Sequence, residues 1–186
     1  MNPTHILAIV TLATSTQLAL ASDALLAEAR NTTKMFGSAL KGEVVKSMKA
    51  NGPVATISVC RDKAPAIARE SSAQTGWNVA RTSLKLRNPN NAPDSWELAV
   101  LQSFEARKAK GEPLKTMEYS EVVEQGGSKM FRYMKPIPTG KACLNCHAAE
   151  LKPAVEAALE ELYPQDKARG FSVGDIRGAF TLSKQL

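Results

Sequence analysis

The sequence predicts an α+β protein: an antiparallel β-sheet with helices to one side, preceded by a long N-terminal helix. Two observations carry this. Apolar residues recur at helical spacing over residues 22–51. Later, β-rich runs are divided by turn-forming clusters, and two of them face each other across Gly126-Gly127. The resulting order is helix, helix, strand, loop, helix, two strands, short helix, helix, strand.

Ser22 and Asp23 suit a helix start. Met35/Phe36, Leu40, Val44/Val45 and Met48 then form its apolar stripe, and Asn51-Gly52-Pro53 should end it. That stripe can pack on the body of the protein or on a second copy. Pro53 opens a second helix with Ile57, Cys60, Ala64 and Ile67 on one face. Pro65 should kink or restart it, and Thr75-Gly76 closes it. Trp77 to Leu84 is β-rich, and Arg87 to Asp94 is a loop dense in Asn and Pro. Asp94 or Ser95 can cap a helix with Trp96, Leu98, Leu101 and Phe104 on its apolar side. Met117 to Glu124 and Lys129 to Ile137 form a hairpin. Pro153 to Tyr163 is an amphipathic helix, and Asp175 to Ser183 is a last strand.

Residues 1–21 read as a secretory signal peptide. Ile6 to Leu20 is mostly apolar, and Ala19-Leu20-Ala21 places small residues for cleavage before Ser22. No Lys or Arg precedes the apolar run, which is atypical. The alternative, an uncleaved anchor, needs a longer and less polar run to span about 30 Å of hydrocarbon. The expected mature chain, 22–186, is therefore exported, periplasmic or otherwise outside the cytoplasm, with no stable membrane span. Its division is a helix over 22–51 and a domain over 52–186.

Cys143-Leu144-Asn145-Cys146-His147 reads C-x-x-C-H, the attachment signature of c-type haem. On a helical turn, residues three and four apart share a face. Cys143 and Cys146 can then bond the two vinyl groups of one porphyrin edge, and His147 can reach the iron as proximal ligand. A zinc site usually needs four ligands, and the expected mature chain has at most four cysteines plus histidines, three of them crowded into this motif. A thioredoxin-type pair expects a strand-then-helix context, whereas this motif follows the turn Pro136 to Gly140. The cofactor expected is one covalent haem c.

The chain has two histidines, His5 and His147. Signal cleavage would leave His147 alone, so bis-histidine ligation within one chain is excluded. Thioether bonds would leave Cys60 without a disulfide partner. It should be buried, paired between chains, or bound to metal. Met35, Met48, Met117, Met130 and Met134 are competing iron ligands, though methionine is usually core filler. Arg81 and Arg87 are candidates to pair with haem propionates, against a purely structural role. Net charge is +6 with no dense basic run. It reads as a solvated basic surface, or as steering toward an acidic redox partner. Few aromatics and an exported location argue against nucleic acid.

Several runs together resemble a bacterial family: Arg81 to Glu97, Tyr133-Met134-Lys135-Pro136-Ile137, Cys143 to His147, and Gly174 to Ala179. These are the c-type haem-binding PAS-like domains, first described as a domain of unknown function. They occur as lone exported proteins and as the sensor part of some histidine kinases. The resemblance implies a PAS-like antiparallel sheet packed by helices over 52–186. It implies His147 as proximal ligand and gives the distal position to a cysteine in the segment matching Val59-Cys60-Arg61, here Cys60.

Three functions follow as expectations. The first is a non-catalytic haem protein of one-electron redox chemistry or of redox or gas sensing. The second is a simple electron-transfer cytochrome with a Met or open distal site. The third is a peroxidase-like haem enzyme. A distal Cys60 and the lack of a second histidine for acid–base work argue against the enzyme. The chain contains no output domain, so sensing would need a separate redox or signalling partner. A homodimer through the N-terminal helix is a further expectation.

Overall fold

The computed structural model describes residues 11–186; residues 1–10 of the expected signal segment lie outside them. Helix α1, Thr11–Ser58, is two helical segments that meet at a kink at Gly52, where the first helix was expected to end. Gly52 alone leaves helical geometry (φ 74°, ψ −176°), and the helix resumes at Pro53. Only glycine takes that φ without strain, and Pro53 tolerates a first turn because it has no N–H to satisfy. The Thr56 hydroxyl spans the break, donating to the Gly52 carbonyl at 2.8 Å and lying 3.1 Å from Ser47 Oγ. A single π-turn, Val59–Lys63, follows, then helix α2, Ala64–Thr75, with Pro65 in its first turn. Pro65, expected to kink or restart the helix, marks its restart. Gly76 closes α2 in left-handed geometry (φ 71°).

Four strands form one antiparallel sheet in the order β1-β4-β3-β2. They are β1 Asn78–Thr82, β2 Tyr119–Gln125, β3 Ser128–Pro138 and β4 Ile176–Gln185. Period-two alternation sends Val79, Phe131, Tyr133 and Leu182 to one face. There they meet Ala29, Phe36 and Leu40 of α1 and Ala64 of α2. Phe36 stacks edge-on to Phe180 at 5.5 Å. Gly37 lets α1 approach that ring, since a Cβ there would lie 3.1 Å from it. Helix α3, Ser95–Ala109, covers part of the opposite face, burying Val100, Leu101 and Phe104 against Met117, Met134 and Ala179. The α+β class is as expected, but helices cover both faces. Leu98, expected on the buried side of α3, is exposed. Asp94 and Glu97 form a capping box, with hydrogen bonds of 2.7 and 3.0 Å.

Short α4, Leu144–His147, and α5, Pro153–Leu162, close one end. Val155, Leu159 and Tyr163 pack on Ile57 just beyond the break in α1. Arg30 and Glu118 form a bidentate pair between α1 and the start of β2, and the Tyr133 hydroxyl donates to Glu118 at 2.8 Å. Among the described residues no helix is long and apolar enough to cross a membrane.

Candidate functional site

The C-x-x-C-H stretch follows β3 directly. Thr139 anchors that junction: its N–H donates to Asp175 O at 2.8 Å, and its carbonyl accepts from Gly174 N–H at 2.9 Å. A 3-10 turn, Lys141–Cys143, runs into α4. Cys143, Cys146 and His147 therefore sit on one continuous turn, as their spacing predicts. Cys143 Sγ accepts from the Gly140 N–H at 3.4 Å. Cys146 packs beside the Ile57 cluster. Burial raises its thiol pKa, against the pull of Arg87.

His147 is held in one tautomer. Its Nδ1–H donates to the Ala168 carbonyl at 2.8 Å, which leaves the lone pair on Nε2. Its ring meets Phe171 edge-on at 6.0 Å. Burial, reinforced by Arg177 and Arg87, pushes its pKa down to about 3. Arg177 Nε donates to that Nε2 at 3.3 Å. Arg177 also reaches Ser83 Oγ at 3.2 Å and lies over Phe171 at 5.4 Å. Burial beside Arg87 and Arg81 lowers its pKa to about 10.

Arg87 is engaged elsewhere. It forms a two-pronged pair with Asp166, at 3.0 and 3.2 Å, with side chains 8% and 3% exposed. It also donates to the carbonyls of Cys146 at 2.5 Å and Ala168 at 3.4 Å. Asp166 accepts further from Ala168 N–H and Arg169. Burial disfavours its charge, but these donors outweigh it and hold the pKa below the ordinary carboxylate range. Arg87 thus ties the motif to the loop that orients His147.

Arg81 lies on β1 opposite Phe180 of β4, in the alternation that faces α1. Burial lowers its pKa, and it has no carboxylate partner among the described residues. Its electrostatic neighbours are Cys60 and Tyr163. Cys60 lies on the π-turn, a form of helical irregularity frequent at functional sites. Burial raises its thiol pKa, opposed by Arg81, Arg87 and Arg177, with Cys143 also in range. Met117 and Met134 are fully buried in the core under α3, away from this cluster.

A haem c fits this donor set. Two thiols stand at thioether spacing, an imidazole presents its Nε2 lone pair, a third sulfur lies nearby, and guanidiniums without carboxylates are available for propionates. Among the described residues no three His, Cys, Asp or Glu side chains converge on a bare ion.

Sequence reasoning missed Arg177, Asp166, Ala168 and Phe171. Arg177 lay inside a run that carried the family resemblance, but nothing local gave it a role. Gly178 beside it also has a steric reason: a Cβ there would lie 2.4 Å from the Thr82 carbonyl oxygen.

No curated protein matches the chain. Among solved structures, it is similar to the crystal structure of the cyanobacterial haem protein Tll0287. The two share 25% identity at a TM-score of 0.62, covering 87% of this chain and 92% of that one. The model of the Tll0287-like family matches residues 12–184. With nearly the whole length matched, the chain belongs to the Tll0287-like family.

Proposed function

We propose that this chain is an exported monohaem c-type protein of one-electron redox chemistry, or of redox or gas sensing, and not an enzyme. Haem binding is supported by the family and by the similarity to a haem protein. The covalent form rests on one observation: Cys143, Cys146 and His147 share a turn, and Ala168 O holds the imidazole with Nε2 available. When bound, the haem supplies a one-electron couple. Cys143 and Cys146 hold it by thioethers, and His147 is the proximal ligand. Cys60 would be the distal ligand; it lies on a π-turn where burial raises its thiol pKa and three guanidiniums oppose that rise.

A thiolate opposite an imidazole favours ferric iron and a lower potential than His/Met ligation. If Cys60 were released from the iron on reduction, that change would be the switch a sensor needs, and a signalling partner would read it. The simple electron carrier is the second reading. Export follows from the signal-like segment 1–21 and from the oxidising compartment that thioether attachment expects.

The test is the absorption spectrum of the holoprotein, oxidised and reduced, for wild type and Cys60→Ala. A six-coordinate low-spin ferric wild type and a shifted Soret band or high-spin variant are expected. An unchanged spectrum removes Cys60 from the iron. A polypeptide with no added mass after co-expression with haem-attachment machinery removes the haem.

A further inference from the structure

The site holds three arginines, and only one of them is neutralised locally. Arg87 has Asp166. Arg81 and Arg177 have no carboxylate partner among the described residues, although burial disfavours the charge of both. Two guanidiniums kept charged in a partly desolvated pocket call for two anions. A haem brings two, its propionates.

Arg177 has a second peculiarity. Its Nε donates to His147 Nε2 at 3.3 Å, the lone pair that iron would take. One lone pair cannot serve both, so ligation of His147 must release this contact. The guanidinium would not be lost to solvent. It stays tethered through Ser83 Oγ at 3.2 Å, the Lys85 carbonyl at 3.4 Å and the face of Phe171 at 5.4 Å.

We infer that Arg177 clamps one propionate of the bound haem, with Arg81 serving the other, and gives up the Nε2 lone pair of His147 to the iron. This rests on the haem reading above and refines it, because Arg87, the other arginine expected to contact a propionate, is already spent on Asp166, Cys146 O and Ala168 O. The guanidinium fork suits a carboxylate in two-pronged geometry. The charged groups facing Arg177 are Arg87, Arg81, Asp166 and Cys60, with Lys85 also over Phe171. None is a carboxylate left free to replace the propionate.

The experiment compares holoprotein of wild type, Arg177→Gln and Arg177→Lys. It measures added mass, midpoint potential and the propionate bands of the resonance Raman spectrum. Removing a positive charge beside a propionate leaves net negative charge near the iron, which favours the ferric state. R177Q should load haem, shift its potential negative and move one propionate band. R177K keeps the charge and should return the potential most of the way to wild type, with a weaker band because it lacks the fork. A merely structural role would move R177K as far as R177Q, and that result overturns the inference. Wild-type potential and bands in R177Q overturn it as well. Loss of haem in both variants counts against it, since a retained charge should suffice for loading. A wild-type chain without added mass overturns the haem reading itself, and this inference with it.

Discussion

Replacing Arg87 by methionine removes a charge from one of the least exposed ion pairs in the described residues, at 8% and 3% side-chain exposure. Methionine keeps much of the volume, so the change isolates the guanidinium. Four hydrogen bonds disappear: two to Asp166 and one each to Cys146 O and Ala168 O. Breaking a buried pair from one side costs about 3–5 kcal/mol, because the remaining charge is stranded. Asp166 keeps the Ala168 N–H and Arg169, so the expected loss is about 3 kcal/mol. With a urea slope of about 2 kcal/mol per molar, the unfolding midpoint falls by about 1.5 M. Adding Asp166→Asn should recover about 1–2 kcal/mol, since the stranded carboxylate goes.

The pH dependence has a definite sign. The folded pKa of Asp166 lies below its ordinary 3.8. Its stabilisation is therefore complete above that value and is lost as pH falls through the lower, folded pKa. The gap between wild type and R87M should narrow in acid. Urea unfolding followed by far-ultraviolet circular dichroism at neutral and acid pH measures both effects. A loss under about 1 kcal/mol, or strict additivity with D166N, refutes the view that this pair organises the loop behind His147.

Other expectations follow from the same contacts. Gly178→Ala places a Cβ 2.4 Å from a backbone oxygen, so the β1–β4 edge must move. The thermal midpoint should fall by an amount reflecting up to about 3 kcal/mol. Glu118→Gln removes the carboxylate shared by Arg30 and the Tyr133 hydroxyl, at a cost of about 1–2 kcal/mol at neutral pH. Arg30 first, and then Tyr133, lower that carboxyl's pKa against desolvation, so the deficit should vanish as wild-type Glu118 protonates in acid. Chemical unfolding across pH tests this, and amide exchange in α1 should accelerate. Asp94→Ala opens the capping box and should cost about 1 kcal/mol in a urea titration, with no change in any haem spectrum.

Much of the fold was legible because its signals are local. The stripe through Phe36 and Leu40 predicts a helix with a buried face, and both side chains are buried. Gly126-Gly127 predicts a hairpin, and residues 125 and 128 pair across it. Gly52-Pro53 was equally legible: the glycine leaves helical geometry where the first helix was expected to end, and the second opens at Pro53. Helix placement was less legible. Periodicity says that α3 has an apolar side, but not which face of the sheet it will meet.

The candidate site divides in the same way. The sequence alone determined the turn that brings Cys143, Cys146 and His147 together, because offsets of three and four residues are a property of the helix itself. It also singled out Cys60, the one cysteine outside the C-x-x-C-H motif. Only the tertiary structure decided which arginine does what. Arg87 finds Asp166 from 79 residues away, and Arg177 reaches His147 across 30. Such contacts are made by strand order and by the path of the loop after α5, and no spacing along the chain encodes them. The electrostatics of the site are therefore a product of the fold, whereas the spacing of its cysteines and histidine is written in five consecutive residues.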